Sequence, residues 1–262
     1  MGLQVLVSTM KQIDTSLVDR LKINSNCIIL NQCNEENIIK VTKQNYNIQM
    51  INSKTNGLSK SRNLLINYAT DEICLMGDDD LEYVPEYNKI IEAQFDKFPS
   101  ADIIVFQVEG IERKFKNYPT TAKELNLITS MKVASVEIAF RLNSIKNNNI
   151  KFNEKFGSGA KYSMGEENIF LFNCIRNGLR VQYVPIKIAD LHIGESSWFK
   201  GFNKKFFIDR GASFYAMSSN LAYLLILQYS IRKYNLYKNE TSLINAFKYM
   251  VRGANEYKKT LK

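Results

Sequence analysis

The chain has 262 residues, 45% of them hydrophobic and 23% charged, which is enough for a packed core in one larger α/β domain or one domain with an appendage. Its 15 Phe and 14 Tyr exclude a disordered chain, and only 12 Gly and 4 Pro exclude a collagenous or linker-like one. The net charge of +9 is confined to one end: residues 1–199 hold 23 basic and 23 acidic residues, whereas residues 200–262 hold 12 basic and 3 acidic. A basic tail on a neutral body points to a polyanion partner, either an anionic membrane surface or nucleic acid.

The N-terminus enters an apolar run with no basic lead region and no small-residue cleavage site, so no signal peptide is expected. Gly2 lacks the Ser or Thr at position 6 that myristoylation asks for, since Leu6 stands there. Leu3–Ser8 predicts a buried parallel strand. Thr15 and Ser16 can cap a short helix through Lys22. Cys27–Leu30 predicts a second buried strand ending in Asn31-Gln32, and Ile48–Ile51 a third. Ser59 can cap a helix over Lys60–Ala69 with Leu64, Leu65 and Tyr68 on one face. Glu72–Met76 predicts a fourth strand, running straight into Gly77-Asp78-Asp79-Asp80. Pro85 suits the first turn of a helix reaching Phe98, and Ile103–Gln107 predicts a fifth strand.

The second half is less regular. Val133–Leu142 predicts a strand, and Glu166–Asn177 a helix stopped by Gly178. Val181–Val184 and Ile186–Ile193 predict two strands around Pro185. The stretch Gly211–Ser230 is uncharged and long enough to span a bilayer, but Ser218, Ser219, Asn220 and Gln228 would be costly at its centre. It predicts a buried or interfacial helix. Thr241 or Ser242 starts an amphipathic helix with Leu243, Ile244, Phe247, Met250 and Val251 inward and Lys248 and Arg252 outward. Cys27, Cys33, Cys74 and Cys174 form no paired motif and read as reduced thiols of a cytoplasmic protein. Strands alternating with helices predict an α/β class: an open, mostly parallel sheet with helices on both faces and a basic helical C-terminal appendage.

Three stretches can carry chemistry. Asp78, Asp79 and Asp80 repel one another unless a cation compensates them, and strand ends of open α/β sheets are where ligands bind. Alternate carboxylates Asp78 and Asp80 can converge on Mg²⁺ or Mn²⁺, whereas a solvated acidic turn is the plainer explanation. Asn56–Asn63, with Lys60 and Arg62 at a helix start, suits a diphosphate or is an ordinary capped start. Gly157-Ser158-Gly159 lets backbone approach a ligand, and one of Glu166 and Glu167 can serve as a base or merely favour the helix dipole. His192, the only histidine, either ligates metal, touches phosphate or is structural; Trp198, the only tryptophan, stacks on a sugar or fills a core.

These pieces in this order resemble family 2 glycosyltransferases of the GT-A fold over roughly residues 3–198. The resemblance is carried by Ser8-Thr9 after the first strand, Gly57 with Ser61-Arg62-Asn63, and Asp78-Asp79-Asp80 as the D-x-D motif. It continues in Phe152–Phe156, Gly165-Glu166-Glu167, and Tyr183-Val184-Pro185 followed by His192. It implies a Rossmann-like catalytic domain over 1–199, with 200–262 as a helical segment able to associate with a membrane. The implied reaction is inverting transfer from a nucleoside-diphosphate sugar, with UDP expected, to a glycan or polyprenyl-diphosphate-linked acceptor in cell-surface polysaccharide synthesis. The implied roles are metal binding by Asp80 with Asp78 and His192, and donor binding by Ser8, Thr9, Asn31, Arg62, Asp78 and Asp79. Glu167, with Glu166 beside it, falls on the catalytic base, and Gly157, Gly159 and Trp198 on the acceptor side. Two positions depart from the family: Asn31 stands where an Asp usually reads the base, and Glu167 replaces an Asp. The implied location is peripheral at the inner face of the cytoplasmic membrane. Parts of the sequence also suit two other classes. One is a non-catalytic subunit of the same fold that binds nucleotide sugar. The other, a metal-dependent nucleic-acid enzyme, is disfavoured because the basic residues lie far in sequence from the carboxylates, so no nucleic-acid partner is expected.

Overall fold

A computed structural model describes residues 2–194, 199 and 201–261. The chain forms two compact units. The first comprises Met1–Asn56, Lys60–Phe152 and Phe170–Gly194, and the second Gly57–Ser59, Asn153–Ile169 and Glu195–Lys262.

In chain order the elements through the sheet are β1 (Leu3–Met10), α1 (Leu17–Arg20), β2 (Asn26–Gln32), β3 (Asn37–Lys43), β4 (Tyr46–Ser53), α2 (Leu58–Tyr68), β5 (Ile73–Asp78), β6 (Leu81–Tyr83), α3 (Tyr87–Lys97), β7 (Ile103–Gly110), β8 (Lys123–Leu125), α4 (Leu127–Ser130), β9 (Ile138–Arg141), α5 (Leu142–Asn147), α6 (Glu166–Arg176) and β10 (Val181–Leu191). The sheet order is β3-β4-β2-β1-β5-β9-β7-β10-β6, with β8 pairing to β10. The strands β4, β2, β1, β5, β7 and β10 run one way, and β3, β6, β8 and β9 run against them. The sheet is therefore mixed and mostly parallel. Its central strands are apolar on both faces because both faces are covered. Val5 and Val7 of β1 join Ile29, Leu75 and the α3 residues Tyr87, Ile91 and Phe95 in one core. Leu6 joins Ile28, Met76 and the helix residues Leu65, Phe170, Leu171 and Cys174 in the other. The four cysteines are free thiols.

Some elements differ from expectation. The hairpin partner β3 went unread because it is an exposed edge strand, so burial never imposed an apolar pattern on Asn37–Lys43. Its turn is built by Gln44 and Asn45, both in the left-handed region at φ 48° and 72°, which suits a two-residue hairpin. The strand expected over Val133–Leu142 is only Ile138–Arg141, preceded by a 3₁₀ turn at Ser135–Glu137 and followed directly by α5. The two strands expected around Pro185 are one, β10. The missing N–H of the exposed Pro185 falls inside a register shift between Tyr183 and Lys187, where the ladder does not need it.

The second unit holds α7 (Lys204–Met217), α8 (Ala222–Arg232), α9 (Tyr234–Tyr237) and α10 (Leu243–Lys259). Asn203 caps α7 by accepting from the Phe206 N–H, and Ser242 caps α10 by accepting from the Asn245 N–H. The single helix expected over Gly211–Ser230 is broken between Met217 and Ala222, where Ser218 to Leu221 make a turn. No helix among the described residues is long and apolar enough to cross a membrane. The buried line of α10 is Ala246, Met250, Gly253, Ala254 and Tyr257, so Ile244, expected inward, is exposed. Small residues decide this line, because α7 and α10 meet backbone to backbone. A Cβ on Gly211 would lie 1.9 Å from the Met250 carbonyl oxygen, and one on Gly253 1.9 Å from that of Ile208. Gly253→Ala is therefore expected to cost about 2–3 kcal/mol through overpacking. That lowers Tm by roughly 4–12 °C in a thermal melt. A variant melting with the unchanged protein would contradict the close crossing.

Candidate active site

The register of the sheet brings the first candidates to one edge. Ser8 pairs with Asp78 across β1 and β5, Thr9 with Asn31 across β1 and β2, and Asn31 with Asn52 across β2 and β4. Strand β5 ends at Asp78, and the chain turns through Asp79 and Asp80 before β6 reverses against β10. The residue before this turn must be small: a Cβ on Gly77 would sit 2.7 Å from the Tyr83 hydroxyl oxygen.

Each carboxylate has a different surrounding. The Arg62 guanidinium, fully buried, donates from Nη2 to both Asp78 oxygens at 3.1 and 3.3 Å and to Ser135 Oγ at 2.8 Å. Its Cζ lies 5.5 Å from the centroid of the Phe152 ring, which fixes the head group on its flat side. Thr9 Oγ1 donates to Asp79, and Gln12 Nε2 in turn donates to Thr9 Oγ1 at 3.0 Å. Asp80 lies at the rim with solvent on one side. Burial on its other side, then the Asp78 and Asp79 charges, raise its pKa to about 6. One guanidinium at Asp78 faces three adjacent carboxylates, and burial, then the Asp78 and Asp79 charges, hold the Asp80 carboxyl above its usual range.

This charge balance fits the divalent ion that the resemblance implies. Among the described residues no three His, Cys, Asp or Glu side chains converge with metal-ligand geometry. An ion at Asp80 would therefore complete its shell with phosphate oxygens and water, as hard cations at phosphate sites do. His192 is near by construction, since its backbone N–H donates to the Asp80 carbonyl at 2.9 Å. Its ring, however, is held by Glu112 at Nδ1 and Glu82 at Nε2, both at 2.9 Å. These hydrogen bonds, Glu112 first, raise the His192 pKa. To ligate an ion it must release one carboxylate.

The raised Asp80 pKa has a sign that can be tested without substrate. An acid that binds its proton more tightly in the folded state favours the fold at low pH. That contribution is lost as pH rises from the usual value of 3.8 through about 6. Asp80→Asn is thus expected to melt higher than the unchanged protein at pH 7.5 without added metal, and to lose that advantage at pH 4.5. Equal melting at pH 7.5 would contradict the burial and charge crowding of Asp80.

Asn31 is buried and fully engaged. Its Oδ1 accepts from the Gln12 N–H at 2.9 Å, and its Nδ2 donates to the Gln12 carbonyl and to Asn52 Oδ1, both at 2.8 Å. It fixes the segment that carries Gln12, and Gln12 fixes Thr9. Ser8 Oγ is buried and accepts from Ser61 Oγ of α2 at 3.0 Å. The sequence reading missed Gln12, Asn52, Ser135, Glu82 and Glu112; none lies in a motif, and each acts through partners distant in the chain.

The remaining candidates belong to the second unit. Gly57 precedes Leu58, whose N–H donates to the Ser158 carbonyl at 2.9 Å, and Ser59 Oγ donates to the Phe156 carbonyl at 2.7 Å. Gly157 and Gly159 take φ of 100° and 78°, which only glycine adopts without strain. A Cβ on Gly157 would lie 3.2 Å from Glu166 Cδ, so the Glu166 carboxyl packs onto that glycine and is only 7% exposed. Glu167 is half-exposed. The loop is braced from below: Phe156, Tyr162 and Tyr257 form an aromatic cluster with centroids 5.0–6.0 Å apart, and Ser163 donates to Asp209 of α7 from both N and Oγ. Trp198 lies outside the described residues.

The sequence pattern described as Glycosyl transferase family 2 matches residues 8–168. Among solved structures, S. aureus TarS 1–349 in complex with UDP-GlcNAc is similar at TM-score 0.65 and 15% identity, over 92% of this chain and 74% of that one. The same fragment in complex with UDP is similar at TM-score 0.65 and 17% identity, over 100% of this chain and 83% of that one. S. aureus TarS itself is similar at TM-score 0.59 and 16% identity, over 91% of this chain and 44% of that one. At such identities these structures establish the shared fold. No curated protein sequence matches the chain.

Proposed function

The chain belongs to glycosyl transferase family 2 and is a nucleotide-sugar glycosyltransferase, and on that premise we propose that it is a metal-dependent, inverting enzyme with a UDP-sugar donor. Its acceptor is a glycan or polyprenyl-diphosphate-linked saccharide of cell-surface polysaccharide synthesis. The single observation that carries this reading is the crowding of Asp78, Asp79 and Asp80 at the carboxyl end of β5 beside the one buried guanidinium of Arg62. Residues 1–199 supply the catalytic domain, and 200–262 an appendage at the inner face of the cytoplasmic membrane.

In this proposal Asp80, with Asp78 as neighbour, holds Mn²⁺ or Mg²⁺, and His192 joins only on releasing a glutamate. The ion, when bound, supplies positive charge to the diphosphate that departs. Arg62 adds its guanidinium beside the same group while keeping Asp78 in place. Thr9 keeps Asp79 turned inward, and Ser8 and Asn31 shape the nucleotide pocket through Ser61 and Gln12. Gly157, Gly159 and Trp198 belong to the acceptor side. Glu167 takes the proton from the acceptor hydroxyl as that oxygen attacks the anomeric carbon. The bond to the donor phosphate oxygen breaks with its electron pair, so configuration inverts. The half-exposure of Glu167 against the burial of Glu166 supports this choice, since a base has to meet an incoming hydroxyl.

A thermal-shift panel of UDP-, GDP- and dTDP-sugars with and without Mn²⁺ tests the reading. A UDP-sugar with Mn²⁺ should raise Tm by several degrees, because a ligand at about 100 times its Kd adds roughly 2.7 kcal/mol to stability. A shift with GDP- or dTDP-sugars instead would reassign the nucleotide, and no shift with any donor would remove the function.

A further inference from the structure

We propose that the outer face of α8 docks on an anionic lipid bilayer, with its apolar side chains entering the interface and its basic end facing the headgroups. This places the membrane contact of the reading above on named residues, and it rests on that reading only for the location of the acceptor.

The inner side of α8 is Ala222, Ile226 and Ser230, all buried. The opposite side is also apolar: Leu224 is 63% exposed, Ile231 59% and Leu227 46%, with Leu221 and Tyr223 exposed beside them. At 3.6 residues per turn, 224, 227 and 231 share one stripe, and 221 and 223 flank it. Gln228 is the one exposed polar side chain within this face before Arg232, and an apolar face of this extent on a helix whose other side is already buried is built to be covered. Tyr234 and Leu236 of α9 extend it in exposed positions.

Charge selects the occupant. Between Asp209 and Glu240 the sequence carries Arg210, Arg232, Lys233 and Lys238 and not one acidic residue. Arg232, Lys233 and Lys238 are exposed at the end of the apolar stripe. The acidic side chains of residues 201–261 are engaged elsewhere: Asp209 by Lys205 and Ser163, Glu256 by Arg252, and Glu240 by the Phe202 N–H. Two copies of this chain meeting face to face would bring like charges together. An anionic bilayer meets the apolar stripe and the basic rim at once, and no helix among the described residues is long and apolar enough to cross it, so the proposed contact is interfacial. The amphipathic α10 is not the contact element, because its apolar line is used against α7.

The test uses the full chain in sedimentation with phosphatidylcholine vesicles, with and without phosphatidylglycerol, at low and high salt. Binding is expected to the anionic vesicles alone and to weaken with salt. The triple variant Leu224→Ser, Leu227→Ser, Ile231→Ser should lose roughly tenfold or more in partitioning while melting like the parent. A second variant, Arg232→Gln with Lys233→Gln and Lys238→Gln, should lower anionic binding and its salt dependence without touching the packing of α8. Equal binding to neutral and anionic vesicles, no binding to either, or parent-like binding by both variants would overturn the proposal. So would a parent dimer that the triple variant turns into a monomer. The Tm shift given by donor and Mn²⁺ is measured in parallel; its persistence in both variants separates failure at the membrane from failure of the transferase reading.

Discussion

Asp80→Ala is expected to abolish metal-dependent transfer while leaving the protein folded. The carboxylate sits at the rim of the β5 turn, where burial and two like charges raise its pKa to about 6. Removing it relieves repulsion, so stability should hold or rise. On the proposed reading the same change removes the ligand that places a positive charge on the departing diphosphate. Charge stabilisation of that kind is worth several kcal/mol, so kcat should fall by about a thousandfold. Added Mn²⁺ should no longer stimulate the residual rate. Asp79→Asn, which keeps an acceptor for the Thr9 hydroxyl, should be milder. Turnover by Asp80→Ala at the parent rate with the parent's Mn²⁺ dependence would sink the metal assignment.

The second large effect is at Glu167. Glu167→Gln should lower kcat by about a hundredfold or more with donor-induced Tm shifts nearly unchanged, because an amide cannot take the acceptor's proton. Glu166 differs in surroundings: its carboxyl lies against Gly157, where a Cβ would come within 3.2 Å of Cδ, and it is nearly closed to solvent. Glu166→Gln is expected to disturb the glycine loop and lower Tm before it lowers kcat. A loss of kcat in Glu166→Gln with Glu167→Gln unimpaired would move the base by one residue and leave the reaction intact. If neither variant is impaired, the base lies elsewhere.

The parallel strands were legible because burial on both faces leaves continuous apolar runs, as in Val5–Val7 and Cys27–Leu30. Where burial is partial the record fades. The edge strand β3 shows no such run, and α5 is so short that Leu142 and Ile145 are its only apolar pair. The large apolar residues of α10 suggested its inner face, yet close approach at Gly211 and Gly253 chose a line of small ones. The same contrast holds at the site. Asp78, Asp79 and Asp80 are adjacent and follow a strand, so they stand out in the sequence. Ser135, which accepts from Arg62 over 73 positions, and Glu82, which holds His192 over 110, are brought in only by the fold. The resemblance assigns Asn31, near the end of β2, to donor binding, and its amide is spent on Gln12 and Asn52, so it acts through them.

The most direct measurement of the central claim is nucleoside diphosphate release from UDP-, GDP- and dTDP-sugars by the full chain, with Mn²⁺, then with EDTA, then with Mn²⁺ restored. The proposed function predicts release of UDP, stopped by EDTA and recovered with the metal. UDP release that continues unchanged in EDTA, or no release from any donor, would contradict it.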